Sequence, residues 1–391
     1  MPLAAAGGGG VQNAVDTTAA FALENPELAI LAVVALAVAA VSASWGVQRL
    51  RRSKGHRFRR ALAKRDEIAI LMHPNPDPDA MSCAMAVDAI ASAVDTDATM
   101  HYAGQIRHQE NRAFETVLDL NFDRVVDASE LAADDVVLVD HNTPRGFSGA
   151  DSIDPFAVID HHPGGGTGTE FTDVRTDNGA CATIFAEYCQ SMGWTPIDPD
   201  EEAGPDELPT DVATGLIHGI QSDTKSLTKG CSPAEFRAAA YLYSGVDQDA
   251  LDRIANPEVD AEVLEVKARA ITNRDVRTAF AFSNVGDVNN ADAIPQAADE
   301  LLRLEGVTAV VVAGEKDGTI HLSGRSRDDR VHMGKTLRSA VDDIPMAEAG
   351  GHARMGGGQI SIDHMEGIGP STGMTMPELT DRLFDAMSGD I

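Results

Sequence analysis

The stretch EIAILMHPNPDPDAMSCAMAVDAIASAV, residues 67–94, decides how the first half of the chain folds. It opens with six mostly apolar residues, continues through a turn rich in proline and aspartate, and ends in small and apolar residues with helical spacing. This order predicts a strand, a loop and a helix over residues 80–94. The loop carries His73, Asp77 and Asp79. These three side chains either decorate a polar surface turn or bind a metal ion together.

Two further apolar runs also end in acidic residues. VVLVD ends at Asp140, and FAVID ends at Asp160, which is followed directly by His161 and His162. Strands that alternate with helices predict a mainly parallel α/β sheet, whose C-terminal strand ends share one edge where ligands bind. We therefore expect these side chains to meet His73 at that edge. Divalent cations would neutralise so many carboxylates, and an Asp/His set without cysteine suits octahedral Mn²⁺ or Mg²⁺.

Helical spacing returns twice after these runs. The segment NGACATIFAEYCQSM, residues 178–192, begins with the cap-like Asn178, and the later helix DVATGLIHGIQSD stops at Asp223. Between them, residues 195–210 contain six acidic residues and four prolines, which predicts an exposed loop.

A second unit is predicted over residues 276–391. RTAFAFSNV, VTAVVVAG and TIHLSGR predict strands, the last two joined by a turn at Lys316-Asp317-Gly318, and MGKTLRSAVDDI predicts a helix. AGGHARMGGGQISID predicts a glycine-rich loop and a further strand, with Gly356–Gly358 interpreted as a tight turn. Residues 246–275, rich in Asp, Glu and Ala, predict a mostly helical linker.

The N-terminal part of the chain has the pattern of a membrane anchor. Residues 1–27, which include GGGG, are predicted to be disordered, and residues 28–47 carry no charge. Twenty helical residues span about 30 Å, the thickness of a bilayer core. Residues 48–65 contain nine Lys or Arg, which predicts a single-pass cell-membrane protein with its remaining domains in the cytoplasm. The bilayer is then a partner through residues 28–65, with the basic segment lying on anionic headgroups.

The charge composition limits the possible partners. The formal net charge is −30, and only seven of the 31 basic residues are lysine. An evenly acidic, lysine-poor surface is typical of proteins from salt-loving cells and favours a haloarchaeal source, although an ordinary acidic soluble protein is the alternative. Either surface excludes a broad basic face for long duplex DNA. The four cysteines form no Cys-x-x-Cys pair, which argues against a disulfide framework and suits a reducing compartment.

In their order along the chain, these motifs resemble those of the DHH phosphoesterases. The matching elements are the His-x-x-x-Asp-x-Asp run from His73, the strand-end Asp140, the Asp160-His161-His162 triplet and Asp223. The second unit resembles the DHH-associated (DHHA1) domain, with a Ser-x-Arg-Ser element and a Gly-Gly-His loop. The resemblance implies an α/β fold in which a parallel-sheet DHH catalytic domain, residues 66–245, precedes a smaller α/β substrate-binding domain, residues 276–391. One transmembrane helix would precede both.

The resemblance also implies a role for each residue. His73, Asp77 and Asp140 would bind one Mn²⁺, and Asp79, Asp140, His161 and Asp223 would bind the other, with Mg²⁺ or Co²⁺ as substitutes. Asp140, His162 and Asp160 would be the catalytic residues: Asp140 bridges the ions, His162 faces the substrate phosphate and Asp160 orients the histidines. Further substrate contacts are implied for Ser323, Arg325, Ser326, Gly350, Gly351 and His352.

The implied activity is hydrolysis of small nucleotide phosphoesters by a hydroxide that two metal ions hold. Candidate substrates are cyclic di-AMP, short oligoribonucleotides and 3′-phosphoadenosine 5′-phosphate, and relatives with an N-terminal membrane segment favour the first. The alternatives are a non-catalytic membrane-anchored nucleotide sensor and a RecJ-like single-strand exonuclease, although an acidic body suits the latter poorly. A family II pyrophosphatase would share the metal motifs but would be expected to show a basic phosphate clamp. Relatives also allow a homodimer.

Three other residues near these motifs have simpler interpretations. His141, directly after Asp140, either supports a neighbouring metal ligand or is only a polar loop residue, and the pattern favours the latter. Ser82 and Cys83 invite a nucleophile hypothesis, which we reject because metal-assisted hydrolysis requires no covalent step.

Overall fold

The structure is a computed structural model, which describes residues 53–106, 108–199, 201–204, 206–367 and 373–391, together with residues 26, 27, 30 and 34. These residues form two compact units, one ending at Asn256 and the other beginning at Pro257. Within these described ranges, no helix is both long enough and apolar enough to cross a membrane. The predicted disordered segment and the predicted anchor, residues 1–47, lie outside the described residues except at those four positions.

The first unit is built on a six-stranded parallel sheet in the order β3-β2-β1-β4-β5-β6, which confirms the predicted parallel α/β architecture. Its strands are β1 (Glu67–Met72), β2 (Asp97–Tyr102), β3 (Asp123–Arg124), β4 (Val136–Val139), β5 (Ala157–Asp160) and β6 (Phe171–Val174). Its helices are α1 (Lys54–Leu62), α2 (Pro78–Ser92), α3 (Gln109–Val117), α4 (Cys181–Met192), α5 (Thr210–Asp223), α6 (Pro233–Leu242) and α7 (Gln248–Ala255). Two short strands, β7 (Thr195–Pro196) and β8 (Glu207–Leu208), pair within the predicted exposed loop.

The order of the strands reverses between β1 and β4, and this reversal positions the candidate site. The chain adds β2 and β3 on one side of β1, and β4 to β6 on the other side. Ligand crevices form at such a reversal, outside the carboxyl ends of the strands. β1 and β4 pair in register up to Met72 and Val139, so the residues that follow these two strands emerge side by side.

A glycine allows helices α2 and α5 to pack closely. A Cβ atom at Gly219 of α5 would lie 2.5 Å from Ser82 Oγ and 3.1 Å from the Cα of Asp79 in α2. These distances leave no room for a side chain. The close approach brings the first turn of α2, with Asp79, next to the C-terminal part of α5, which ends at Asp223.

Helix α1 lies within the basic segment 48–65 and belongs to the core of the first unit. Phe58 is fully buried, and its ring packs against those of Phe171, Phe185 and Tyr188. Four of the six described basic side chains of this segment form ion pairs inside the unit: Lys54–Asp173, Arg59–Asp206, Lys64–Glu170 and Arg65–Asp135. Much of the positive charge expected to lie on lipid headgroups is therefore matched within the protein.

The second unit contains a mixed six-stranded sheet in the order β13-β14-β12-β11-β10-β9, in which only the β10–β11 pair is parallel among the described strands. The strands are β9 (Asp275–Arg277), β10 (Phe280–Asp287), β11 (Ala309–Lys316), β12 (Thr319–Ser326), β13 (Glu348–Gly351) and β14 (Met355–Ser361). Helices α8 (Ala261–Thr272) and α9 (Ala293–Leu301) pack against one face, and α10 (Met333–Val341) and α12 (Met376–Ser388) against the other. The short helix α11 (Ile362–Met365) follows β14.

Three local predictions differ from the structure. The interpretation of Gly356–Gly358 as a tight turn is wrong, because all three residues lie in β14, where glycine lets the strand approach α10 closely. Helix α4 begins at Cys181 with Ala180 as its N-cap, so Asn178 is not the cap. The helical segment 246–275 divides between the units, with α7 in the first and α8 in the second.

Candidate metal centre

The residues that follow β1 and β4 begin the candidate site. His73 comes directly after β1, and Asp140 comes directly after β4. Asp140 has a φ of +59°, a left-handed conformation that is uncommon outside glycine, asparagine and aspartate. This turn leaves the Asp140 carboxylate buried, 1% exposed, at the strand reversal. Such a conformation costs about 1–2 kcal/mol and is a feature of functional sites.

The structure brings all the predicted ligand residues together in three overlapping groups whose ligand atoms lie within 4.8 Å of one another. The groups are His73 with Asp77 and Asp140, Asp79 with His161 and Asp223, and Asp140 with His161 and His162. His73 Nε2 lies 3.4 Å from Asp140 Oδ2, and His161 Nε2 lies 3.3 Å from Asp140 Oδ1. Asp140 thus faces a histidine with each of its carboxylate oxygens.

Two atoms at the middle of this cluster lack hydrogen-bond partners. Asp140 Oδ1 and His161 Nε2 are buried, and neither makes a hydrogen bond in the described structure. A buried polar group without a partner is costly, and a bound cation would satisfy both atoms. The donor set, imidazole nitrogens and carboxylate oxygens without sulfur, fits a divalent metal ion.

The protonation of the cluster shows how strongly negative it is. Burial lowers the pKa of His73, but the carboxylates of Asp140 and Asp77 outweigh this effect and raise the pKa to about 11. Burial also lowers the pKa of His161, while Asp140 and Asp79 raise it to about 10. Burial and the charges of Asp77 and Asp140 raise the pKa of Asp223 to about 7. Protons here supply positive charge that a divalent cation would replace.

Backbone carbonyls fix the orientation of the two buried histidines. His73 Nδ1 lies 3.1 Å from the carbonyl oxygen of Pro74, and His161 Nδ1 lies 3.2 Å from that of Asn178. A proton on each Nδ1 satisfies these contacts and leaves Nε2 free to bind a metal, which is the usual arrangement of a metal-binding histidine.

Asp160 organises the outer side of the cluster. Its Oδ1 accepts hydrogen bonds from the backbone N–H groups of His161 and His162, at 2.7 and 3.0 Å, and lies 2.9 Å from His162 Nδ1. Its Oδ2 accepts a hydrogen bond of 2.6 Å from Asn142 Nδ2. The His162 side chain is 52% exposed, and its hydrogen bond to Asp160 raises its pKa. Asp160 therefore favours the protonated form of His162 beside the buried carboxylates.

Asp79 is held by a helix that begins 102 residues later. Its Oδ2 accepts a hydrogen bond from the Cys181 N–H, and its Oδ1 accepts one from the Ala182 N–H, both of 2.7 Å. Burial and the charges of Asp140 and Asp223 raise the pKa of Asp79, and the N–H groups at the N-terminus of α4 partly offset this cost for the ionised carboxylate. Sequence reasoning missed this contact because the residues before the helix, Gly179 and Ala180, carry no capping side chain.

A second buried carboxylate supports the turn that orients His161. Glu235 is fully buried, and it accepts hydrogen bonds from the Gly179 N–H at 2.9 Å and the Ser232 N–H at 2.5 Å. A Cβ atom at Gly179 would lie 2.5 Å from the Gly230 carbonyl oxygen, so the two chain segments are in close contact. The sequence identifies Glu235 only as the third helical residue of a capping box with Ser232. Its contact with Gly179, 56 residues earlier, leaves no local pattern in the sequence.

Other residues near the site also differ from expectation. His141 lies in the loop after β4, as expected, but it is 2% exposed, and its Nδ1 lies 2.9 Å from the Val139 carbonyl oxygen, so it is a buried loop residue. Ser82 and Cys83 are both fully buried, and Ser82 Oγ donates a hydrogen bond to the Asp79 carbonyl oxygen.

The predicted substrate residues of the second unit lie on β12 and β13, the two strands that flank β14, and on the turn between β13 and β14. Ser323, Arg325 and Ser326 belong to β12, and Gly350 and Gly351 to β13, after which His352 begins the turn to β14. Arg325 Nε donates to Asp299 Oδ1 of α9 at 2.6 Å, and Arg354 forms an ion pair with Asp329. Both arginine charges are therefore matched by acidic side chains of the same unit.

Two known protein-family models match this chain. The family model for the DHH family N-terminal domain matches residues 67–220, and the model for the DHHA1 domain matches residues 277–368. The chain carries a DHH domain and a DHHA1 domain. The DHH match begins at β1 and ends within α5, so it covers every ligand residue of the cluster except Asp223.

Two relatives of this DHH/DHHA1 chain are an uncharacterized protein and a phosphodiesterase. The chain is 34% identical over 304 residues to an uncharacterized protein of Methanocaldococcus jannaschii, covering 76% of this chain and 59% of that protein. It is 28% identical over 292 residues to the cyclic-di-AMP phosphodiesterase GdpP of Geobacillus thermodenitrificans, covering 70% of this chain and 43% of that protein. The chain thus spans about half the length of these curated relatives.

One further relative and one structure complete the comparison. The chain is 23% identical over 270 residues to the "Probable manganese-dependent inorganic pyrophosphatase" of Streptococcus equi subsp. zooepidemicus, covering 63% of this chain and 81% of that protein. The crystal structure of an exopolyphosphatase-related protein from Bacteroides fragilis matches with a TM-score of 0.59 at 16% identity, covering 86% of this chain and 96% of the other. At this identity the likeness shows the fold alone. The named activities among these relatives are those of a cyclic-di-AMP phosphodiesterase and of a probable manganese-dependent inorganic pyrophosphatase.

Proposed function

We propose that this DHH/DHHA1 chain is a Mn²⁺-dependent phosphodiesterase that hydrolyses small nucleotide phosphoesters at the cluster around Asp140. One observation carries the proposal: six ligand residues from four separate segments meet at the strand reversal, and Asp140 is shared between groups. His73, Asp77 and Asp140 would hold one ion, and Asp79, Asp140, His161 and Asp223 the other. When bound, two such ions activate water and neutralise charge on the phosphate.

The chain's own residues perform the remaining tasks. Asp160 fixes the ring of His162 and favours its protonated form, in which His162 can donate a hydrogen bond to a phosphate oxygen. The backbone contacts of Pro74 and Asn178 keep His73 and His161 in the ligand orientation. Burial of the carboxylates excludes competing water and strengthens their attraction for cations.

Cyclic di-AMP is the first candidate substrate, because a relative that covers 70% of this chain is named a cyclic-di-AMP phosphodiesterase. Short oligoribonucleotides and 3′-phosphoadenosine 5′-phosphate are the other candidates in this class. The pyrophosphatase relative makes inorganic pyrophosphate a second candidate. The pairing of Arg325 with Asp299 and of Arg354 with Asp329 disfavours it, because a basic clamp for pyrophosphate needs unmatched charge.

The decisive experiment is turnover of a substrate panel by the purified full chain with Mn²⁺. The panel contains cyclic di-AMP, a linear dinucleotide, 3′-phosphoadenosine 5′-phosphate and pyrophosphate. Asp140→Asn should abolish turnover, whereas the matched change at the exposed Asp151, Asp151→Asn, should leave it unchanged. Tight nucleotide binding without turnover would favour a sensor, and rapid turnover of pyrophosphate alone would favour a pyrophosphatase.

We further propose that residues 28–47 anchor the protein in the cell membrane, with both units in the cytoplasm. The uncharged run and the nine basic residues after it support this proposal. Fractionation tests it: the full chain should sediment with membranes and resist carbonate extraction, and a chain beginning at Ser53 should remain in the supernatant. A full chain found in the supernatant would refute the anchor.

A further inference from the structure

The loop that follows His162 contains three consecutive glycines, Gly164–Gly166. It lies directly beside the cluster, since Asn142 Nδ2 donates to Asp160 at 2.6 Å and also lies 3.4 Å from the His162 carbonyl oxygen. Asn142 is therefore a fixed support between the loop and the cluster.

Packing against Asn142 explains two of the three glycines. A Cβ atom at Gly164 would lie 2.3 Å from Asn142 Oδ1, and one at Gly166 would lie 1.5 Å from the Asn142 carbonyl oxygen. The contact at Gly166 is with backbone atoms, so glycine is required there, whereas the contact at Gly164 is with the Asn142 side chain, which its hydrogen bond to Asp160 holds in place. The loop is therefore held against its support on both sides of Gly165.

Gly165 has no such structural reason to be glycine. A Cβ atom at Gly165 would meet no atom within 4 Å, and its φ is not in the left-handed region. Glycine at an open position with ordinary backbone geometry permits something outside the protein to approach the main chain closely. The position is exposed and lies three residues after His162.

The backbone N–H groups of this loop are also available. In the part of the chain that the structure describes, the N–H groups of Gly164, Gly165 and Gly166 donate to no protein acceptor. Free backbone N–H groups in a glycine-rich loop are a common means of binding phosphate oxygens. These N–H groups are neutral donors and lie beside a cluster of carboxylates. They can bind an anion such as phosphate, whereas a further acidic side chain would repel it.

We propose that Gly164–Gly166 bind a second phosphate of the substrate, distinct from the phosphate that is hydrolysed. The inference rests on the proposed function, in which the cluster around Asp140 holds the scissile phosphate. Substrates that carry a second phosphate include cyclic dinucleotides and linear dinucleotides with a 5′-phosphate. The loop would thus favour such substrates over nucleotides with a single phosphodiester.

Kinetics with two linear dinucleotides that differ only in a 5′-phosphate test this assignment. With Mn²⁺, the wild-type full chain should prefer the phosphorylated substrate. Gly165→Ala places a methyl group in the open space and should raise KM about tenfold for that substrate, the effect of one charge-assisted hydrogen bond, with kcat unchanged. The unphosphorylated substrate should change less than twofold. Gly204→Ala, in a separate exposed loop, is the matched control and should alter neither substrate.

A second variant removes the donor itself. Gly165→Pro lacks the N–H group and should reduce kcat/KM for the phosphorylated dinucleotide at least as much as Gly165→Ala. Equal effects on both dinucleotides, or no effect of either variant, would overturn the subsite. If the wild type hydrolyses neither substrate, the proposed function fails, and equilibrium binding of the same two dinucleotides decides the subsite separately. Tighter binding of the phosphorylated form that Gly165→Pro abolishes supports it, and equal binding of both forms refutes it.

Discussion

Mn²⁺ binding should release protons, and the cluster determines how many. Without metal at pH 7, His73 and His161, with pKa values of about 11 and 10, each carry a proton. Asp223, with a pKa of about 7, carries roughly half of one. Each group must lose its proton before it can bind a metal. Asp79, whose pKa is raised well above its usual value by burial and by the charges of Asp140 and Asp223, adds to this count. Loading both proposed ions should therefore release about three protons, and the association constant of each ion should rise at least tenfold, to order of magnitude, per pH unit between pH 6 and 9.

Isothermal titration calorimetry of the full chain in PIPES and in Tris measures this release, because the two buffers take up protons with different enthalpies. His73→Gln should remove about one proton from the count. His56→Gln, at an exposed histidine of α1, should leave the count unchanged. Release of fewer than one proton by the wild type would show that the histidines are neutral in the metal-free protein. That result would refute the charge arrangement described for the cluster.

Three further variants test how the fold supports the site. Phe58→Ala should lower the free energy of unfolding by about 3–5 kcal/mol in urea titrations, because Phe58 is fully buried in α1, and an effect below 1 kcal/mol would contradict its place in the core. Gly219→Ala should cost about 1–3 kcal/mol and also weaken Mn²⁺ binding, since the added methyl group separates α5 from Asp79; unchanged stability would refute the close packing. Glu235→Gln should weaken Mn²⁺ binding about tenfold and alter the electron paramagnetic resonance spectrum of bound Mn²⁺, whereas Glu202→Gln should do neither.

The parts of the site that follow strands were predictable from the sequence. Apolar runs that end in His73, Asp140 and Asp160 predict buried parallel strands, and parallel strands deliver their last residues to one edge. The alternation of strands and helices also predicts the parallel sheet of the first unit. In the second unit, the Lys316-Asp317-Gly318 turn is confirmed, with positive φ at Asp317 and Gly318 between β11 and β12.

The remaining features depend on contacts between distant residues. The residues around the start of α4 do not predict where the helix begins, because the Asp79 carboxylate that accepts its first N–H groups comes from α2. Helix α1 resembles a basic juxtamembrane segment in sequence, and only its packing shows that Phe58 belongs to the core and that four neighbouring cations pair with acidic residues of the first unit. Gly356–Gly358 lie in a strand because α10 needs a close approach there, which glycine content alone does not reveal.

The left-handed backbone at Asp140 has a consequence for which residue can occupy this position. Glycine would adopt a φ of +59° without strain, so the backbone alone favours glycine at this position. The Asp140 carboxylate offsets that strain by pairing with the protonated rings of His73 and His161, whose pKa values it raises. Asp140→Gly should therefore relax the turn but lose both ion pairs together with the shared metal ligand, so the residue that suits the backbone best cannot serve this site.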